Sequence, residues 1–422
     1  MKKALLILGG GPDQVFMIKT SKEMGYVTVC VDGDPNAPGL KLADYSKAIN
    51  FTEIYNVIAY CKKLISEGIN LSGVSTMGSD IPQIVSQIAT FFNWIGPSAK
   101  TSEWATHKFK MKTRFIEKNI AVPRFGLVKS SREISDFRKV WDVDTVIIKP
   151  TDRSGSRGVI RIYKNDDLDY AFNYAKKYSL NNEILLEEFI SGPQISTETI
   201  IYNGVAITPG IADRVYGDTT AFSPIIIENG GWIPSQVSPK LRQDICVLIE
   251  EAARALGVEN GVVKGDIVIC AARGPLVIEM AARLSGGDFS QSLVPLSLGI
   301  NYVRSVIEIA MGEVPDMDEL KPKKNTVVAN RYFFPPAGIL NNIKGVEEVR
   351  RIPQLKKLDI FLKIGNILPI IDSHNKRAGV FVVEGDDRVS VQNIINKIYN
   401  TIEFQVDGNF FSGDPKKYAN VS

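Results

Sequence analysis

Lys149-Pro150 closes an apolar run and leads directly into Thr151-Asp152-Arg153-Ser154-Gly155-Ser156-Arg157-Gly158, with another strand-like run behind it. A Gly/Ser loop between two strands, flanked by a lysine and arginines, can lay backbone N–H groups and cations over phosphate oxygens. The same loop is also an ordinary polar hairpin turn. Asp266 and Glu279 lie in two successive apolar runs joined by the turn Arg273-Gly274-Pro275. Glu279 sits within Leu276-Val277-Ile278-Glu279-Met280, where an unpaired carboxylate would be costly to bury. Carboxylates projecting from adjacent strands, with no histidine near, suit a hard Mg²⁺ ion that takes phosphate as co-ligand; a salt bridge from Glu279 to Arg283 is the structural alternative. Seven Lys/Arg between Lys100 and Arg124, against Glu103 and Glu117, form either part of a phosphate site or a solvated helix face.

The elements that must hold these groups follow from periodicity. Ala4 to Leu8 reads as a strand, Val15 to Met24 as a helix and Tyr26 to Val31 as a strand. Ile54, Val57, Ile58, Cys61, Leu64 and Ile65 repeat at the spacing of one helix face, followed by a strand at Leu71 to Thr76 and a helix at Ile81 to Phe92. This βαβαβα order predicts a parallel sheet wrapped by helices. Beyond His107 the pattern changes to strand pairs separated by glycines. Thr145 to Lys149 with Val159 to Tyr163, and Glu183 to Glu188 with Ile195 to Ile201, are expected as hairpins. Arg242 to Leu256 and Tyr302 to Met311 read as helices, and Gly265 to Cys270 with Leu276 to Met280 as strands. Lys321-Pro322-Lys323-Lys324 reads as a linker to a small mixed lobe.

Several classes are excluded. Lys+Arg exceed Asp+Glu by only 50 − 47 = 3 over 422 residues, too little for a whole-molecule field that would draw in nucleic acid or an anionic membrane. Apolar runs fall far short of the ~20 residues of a membrane span, and Met1-Lys2-Lys3 runs straight into a core strand with no cleavable signal. Cys30, Cys61, Cys246 and Cys270 are scattered and form no CxxC pair, so reduced thiols and a cytoplasmic setting are expected. With only His107 and His374, a histidine-built metal or triad site is not expected. Gly9-Gly10-Gly11-Pro12-Asp13-Gln14 with Asp32 suggests a dinucleotide loop, but Gln14 stands where the third glycine belongs, so a structural or substrate-facing turn is the better reading.

In order and spacing the motifs resemble the ATP-grasp superfamily, specifically the carboxylate–amine ligases and their biotin-carboxylase-like relatives, over nearly the whole chain. The resemblance rests on Gly9-Gly10-Gly11, Asp32-Gly33-Asp34-Pro35, Thr76-Met77-Gly78-Ser79-Asp80, His107-Lys108, Ile147-Ile148-Lys149-Pro150 with its glycine loop, Glu187-Glu188-Phe189-Ile190-Ser191-Gly192, and Glu279-Met280-Ala281-Ala282-Arg283. It implies an α/β and α+β architecture in three segments. These are a parallel βαβ domain (1–105), an ATP-grasp fold with a mobile lid of about 123–188 (106–320), and a C-terminal α+β lobe (321–422). It further implies that Lys108 and Lys149 contact ATP phosphates, and that Ser154, Gly155, Ser156 and Gly158 cover them. Glu187 would accept from the adenine amine, the backbone of Glu188, Phe189 and Ile190 would read the rest of the base, and Gln194 would lie by the ribose. Asp266 and Glu279 would ligate Mg²⁺ or, in its place, Mn²⁺, and Arg283 would face the transferring phosphoryl group or the acid substrate. His107 replaces the family's usual Asp, Gln194 and Asp266 replace Glu, and Ala281 replaces the Asn that often completes the metal shell.

The activity so implied is ATP-dependent joining of a small carboxylate to an amine through an acyl phosphate, releasing ADP and phosphate, in a protein that such relatives lead one to expect as a homodimer. The alternatives are a bicarbonate-using carboxylase or carbamoyl-phosphate-type enzyme, and an ATP-binding module that closes without chemistry. Thr76 to Asp80, Ala212 to Tyr216, Ser285 to Asp288 and His374 to Arg377 are the expected specificity segments, with Asp213-Arg214 either a buried ion pair or a substrate clamp.

Overall fold

The computed structural model describes residues 2–418; Met1 and residues 419–422, the outermost ends of the first and last expected segments, lie outside the described residues. The first sheet is parallel in the order β3-β2-β1-β4, from β1 (Lys3–Leu8), β2 (Val27–Asp32), β3 (Tyr45–Ala48) and β4 (Asn70–Ser75). Helices α1 (Pro12–Glu23), α2 (Pro38–Leu42), α3 (Ile54–Ser66) and α4 (Pro82–Phe92) connect and cover it. Ala4 to Leu8 read as an unbroken apolar run because β1 is an inner strand, fully buried on both faces. Two helices follow, α5 (Ala99–Thr106) capped by Ser98 and α6 (Lys108–Glu117) capped by the His107 side chain.

A second, antiparallel sheet runs β5-β8-β6-β7, from β5 (Phe125–Val128), β6 (Val146–Pro150), β7 (Ile160–Ile162) and β8 (Ile184–Glu188). It is backed by α7 (Ser131–Trp141) and α8 (Leu168–Tyr178) through a core that includes Ile134, Val146, Ala171 and Ile184. The expected pairing of residues 145–149 with 159–163 forms as β6 with β7. The second expected hairpin does not form. Both edges of β8 are taken by β5 and β6, and the run 194–202 belongs to another sheet. The chain crosses between the two sheets at Gly192, where a Cβ would stand 2.0 Å from the Ile269 carbonyl oxygen.

That third sheet contains β9 (Gln194–Tyr202), β10 (Val205–Arg214), β11 (Gly231–Ile233), β12 (Gly261–Cys270), β13 (Gly274–Ala281) and β14 (Val327–Phe333). The remaining strands are β15 (Gly338–Lys344), β16 (Leu355–Ile360), β17 (Ile367–Leu368), β18 (Gly379–Gly385), β19 (Glu403–Val406) and β20 (Asn409–Ser412). The large sheet runs β13-β12-β9-β10-β11-β14-β18-β16, so part of the last hundred residues extends it, while β17-β15-β19-β20 form a small sheet beside it. The Lys321–Lys324 stretch does not hang free: the Lys323 and Lys324 N–H groups donate to the Leu298 carbonyl at 2.8 and 3.3 Å. Helix α9 (Pro239–Ala255) fills one face of the large sheet. Helices α10 (Val294–Leu298) and α11 (Val303–Ala310) close a core on the other face, shared with Leu5 and Ile7 of β1 and Met17 of α1. No helix among the described residues is long and apolar enough to cross a membrane.

Candidate active site

The second and third sheets face each other across a cleft of about 1100 Å³ counted out to its mouth. The upper charges come from β6, β8 and α6. Ile147 is in register with Glu187, and Lys149, the next residue but one on β6, reaches Glu187 Oε1 with its Nζ at 2.8 Å. Lys112 approaches the same oxygen at 3.2 Å. Lys108, one helical turn before Lys112, donates to Glu279 Oε1 at 2.6 Å and to the Arg153 carbonyl at 2.7 Å. All three lysines are buried. Burial pushes the Glu187 carboxyl up, but Lys112 and Lys149 outweigh that and hold it below its ordinary range. Burial also drives the Lys112 ammonium down to about 8, with Glu187 offsetting only part of the loss. For Lys108 the attraction of Glu279 wins over burial and the ammonium is raised.

The floor comes from β12 and β13. Asp266 and Glu279 are register partners across the antiparallel pair, so both carboxylates project into the cleft. Asp266 Oδ1 accepts from Ser196 Oγ at 2.9 Å and lies 2.9 Å from Arg214 Nη1, while Lys264 Nζ bonds Oδ2. Burial would raise the Asp266 and Glu279 carboxyls; Arg214 and Lys264 reverse this at Asp266, and Lys108 with Lys149 at Glu279. The sequence alternative for Glu279 is not what forms: Arg283 turns instead toward Asp80, at 3.7 Å. As a metal site the pair fits in chemistry. It is an all-oxygen set of two carboxylates on register-paired positions, and neither here nor elsewhere among the described residues do three or more His, Cys, Asp or Glu side chains gather as a metal-ligand group. Two protein oxygens leave the other positions to phosphate and water, the habit of Mg²⁺. Of the two, Glu279 has one oxygen engaged, whereas both oxygens of Asp266 already face cations.

The roof is the loop after β6. Ser154, Gly155 and Ser156 line the cleft, with Gly155 and Ser156 at φ +66° and +59°. Gly158 does not line it: a Cβ there would stand 2.9 Å from Pro150 Cγ and 2.8 Å from Tyr178 Cβ, so its place is a packing one. The loop is folded down onto the C-terminal part, where the His374 N–H donates to the Gly155 carbonyl at 3.1 Å. At the hinge, Glu188 is bound to Arg124 Nε at 2.7 Å and to Arg273 at 2.5 Å. The N–H groups of Glu188 and Phe189 donate to the carbonyls of Arg124 and Thr145, which leaves Ile190 the donor of the three. The Glu187 side chain, expected at the base, is closed in by Lys112 and Lys149. Gln194, half-buried, does line the cleft, together with the apolar Ile147, Val159, Val268 and Ile278.

A second cavity of about 970 Å³ adjoins the first, the two sharing Arg214, Lys264, Arg283 and His374 in their walls. Residues 285–287, Asp13 and Arg377 also line it. Asp213 and Arg214 do not pair with each other. As consecutive strand residues they point to opposite faces, Asp213 to Arg388 at 2.5 Å and Arg214 to Glu228 and Asp266. Arg377 lies 3.8 Å above the Tyr332 ring and donates to the Glu228 carbonyl. Asp32 is spent on the Gly10 N–H at 2.7 Å, and Gln14 reaches the Met77 carbonyl, so the glycine turn is structural on that side and presents Asp13 to the second cavity. Sequence reasoning missed Lys112, Lys264, Glu228 and Glu198. Two signals were present: Lys112 follows Lys108 at i+4, and Lys264 precedes Asp266 by one pleat.

Residues 143–292, which supply most of this cleft, match the family of the ATP-grasp domain, and residues 331–407 match L-amino acid ligase C-terminal domain 2. The chain therefore contains an ATP-grasp domain and an L-amino acid ligase C-terminal domain 2, and the proteins of known activity that it resembles include ATP-dependent ligases that form carbon–nitrogen bonds. Within that class it is similar to the crystal structure of an L-amino acid ligase from Bacillus licheniformis, with a TM-score of 0.80 at 20% identity over 96% of this chain and 98% of that one. It is 23% identical to protein y4rH of Sinorhizobium fredii over 81% of this chain and 70% of that protein. It is 24% identical to the D-alanine–D-alanine ligase of Delftia acidovorans over 50% of this chain and 64% of that enzyme.

Proposed function

We propose that the protein joins an organic carboxylate, with an amino acid the first candidate, to an amine by way of an acyl phosphate. The observation that carries this reading is the continuity of the two cavities through Arg283. One has the lysines and carboxylates that suit a nucleotide triphosphate with its metal, and the other is polar and roomy enough for an organic acid and an amine. A cavity of about 970 Å³ exceeds what bicarbonate requires, and the convergence of Lys108, Lys149, Glu279 and Arg283 argues against a module that only binds. In this reading adenine lies between Ile147 and Val268 with its edge at Ile190, the ribose lies near Gln194, and Lys108 and Lys149 turn from their carboxylates to the phosphates.

Mg²⁺ held by Glu279 and Asp266 would offset the charge gathering on the phosphates. The substrate carboxylate attacks the terminal phosphorus, the bond to the ADP oxygen breaks, and an acyl phosphate forms. The amine nitrogen then bonds to the acyl carbon, phosphate leaves with the electron pair, and the nitrogen gives up a proton. Arg283 faces the phosphoryl group and the acid, a task suited to its planar fork. The loop 154–156 excludes water that would hydrolyse the intermediate. We also propose the division 1–105, 106–320 and 321–422, the cytoplasm as compartment, and a homodimer as assembly. The test is a matrix of acids and amines scored for ADP and phosphate: release that requires both partners supports the reading, bicarbonate-only release moves it to carboxylation, and AMP with pyrophosphate overturns the acyl phosphate.

A further inference from the structure

Glu198 is fully buried on β9, one pleat beyond Ser196, on the face that carries the Asp266 network. Its register partner on β12 is Lys264. A lysine and a glutamate so placed are neighbours across the strands, yet Lys264 turns along its own strand to Asp266. No cation contacts Glu198 among the described residues. What does reach it is the Ser285 N–H, 2.8 Å from Oε1. Two further buried polar atoms without a well-formed partner, Ser285 Oγ and Tyr302 Oη, belong to residues that interact with the Glu198 side chain, Tyr302 also with Ser290, and Oε2 itself lacks a well-formed partner. A carboxylate in that position would be an isolated buried anion, which is costly. A neutral acid accepts through one oxygen and donates through the other, which suits one N–H and hydroxyl neighbours. Burial raises this carboxyl to about 7, the Ser285 bonds and the more distant Arg283 and Lys264 pulling it partly back.

Ser285 opens the turn 285–287 that walls the second cavity, two residues after Arg283. The turn is held from above by the Gly78 N–H on the Leu284 carbonyl at 3.2 Å, and on its far side by Asn330 and Tyr332 on the Gly287 carbonyl, each at 3.2 Å. Ser290 Oγ donates to the Ser285 carbonyl at 2.9 Å, and Glu198 accepts from the Ser285 N–H on the sheet side. We propose that Glu198 is a positioning residue: as a neutral carboxylic acid it pins the Ser285 turn to the sheet and so fixes where Arg283 and the glycine wall stand toward the acid substrate. The groups facing it are Lys264 from β12, Arg283 from the end of β13, Ser285 from the turn and Tyr302 from the head of α11; Gly210 of β10 brings no side chain. The effect on turnover rests on the ligase reading, whereas the bond itself does not.

The experiment compares Glu198→Gln and Glu198→Leu with the wild type at pH 6, below the value of about 7 to which burial raises Glu198. Glutamine reproduces one acceptor and one donor at nearly the same volume; leucine reproduces neither. Hydrogen exchange of the Ser285 amide should be slow in the wild type and Glu198→Gln and fast in Glu198→Leu, and the infrared band of a protonated carboxyl should vanish in both variants. With an acid and amine that release ADP, kcat of Glu198→Leu should fall by about 100-fold, the scale of a displaced catalytic group, with nucleotide affinity unchanged and Glu198→Gln close to wild type. Fast Ser285 exchange in Glu198→Gln, or no protonated-carboxyl band to lose, would overturn the neutral acid. Slow exchange in Glu198→Leu would overturn the pin. Failure to find any productive acid and amine would sink the ligase reading while the exchange and infrared arms still judge Glu198.

Discussion

Lys112→Met offers a quantitative check on the charge array above the cleft. Lys112 and Lys149 share one oxygen of Glu187, and the nearer one, Lys149 at 2.8 Å, has the better of it. Lys112 Nζ forms no well-angled hydrogen bond. Its ammonium is accordingly brought from the ordinary 10.5 to about 8, and 2.5 pH units at ~1.36 kcal/mol each amount to about 3 kcal/mol. The sign follows from proton counts. Between pH 8 and 10.5 the unfolded chain holds the Lys112 proton and the folded chain has lost it, so this residue adds stability as pH rises through that window. At pH 7 the folded protein carries the full penalty. Methionine keeps most of the volume and removes the charge. The unfolding free energy of wild type minus Lys112→Met, from urea titrations, should therefore increase by about 3 kcal/mol from pH 7 to 10.5. Nucleotide phosphates would supply the missing counter-charge, so wild-type nucleotide affinity should fall as pH rises through 8, and Lys112→Met should lose both that dependence and part of the affinity. A stability difference that stays flat with pH would refute the reasoning that Lys112 is an incompletely paired buried cation.

Glu279→Gln should weaken Mg²⁺-dependent nucleotide binding more than Asp266→Asn, because Glu279 faces one cation and Asp266 faces two; equal metal titrations of both variants would return the pair to structural roles. Arg283→Lys should lower turnover far more than nucleotide affinity, since a lysine supplies charge without the fork, and a matched loss in both would place Arg283 at the nucleotide alone. A non-hydrolysable ATP analogue with Mg²⁺ should slow tryptic cleavage at Arg153 and Arg157, because the loop is already drawn down by Lys108 on the Arg153 carbonyl and by His374 on Gly155. Unchanged cleavage rates would mean that the loop is not a lid.

The parallel first sheet, the pairing of β6 with β7 and the strands bearing Asp266 and Glu279 were legible in the chain, because each is set by short-range pattern: alternation, helical spacing, and glycines at turns. The cleft residues were legible for the same reason, since loop, strand-end lysine and paired carboxylates are local motifs. What the sequence by itself determined is therefore the class of chemistry and the elements that carry it. Partners across sheets were decided by the tertiary structure alone. Glu183 to Glu188 and Ile195 to Ile201 look like a hairpin until both edges of β8 are occupied by other strands and Gly192 carries the chain across to the third sheet. Nothing local says that Lys112 shares Glu187 with Lys149, that Arg214 turns from Asp213 to Asp266, or that Lys264 leaves Glu198 without a cation. Charge pairing depends on which side chains packing brings within a few ångströms in a medium of low dielectric, and that is settled only when the sheets close on one another.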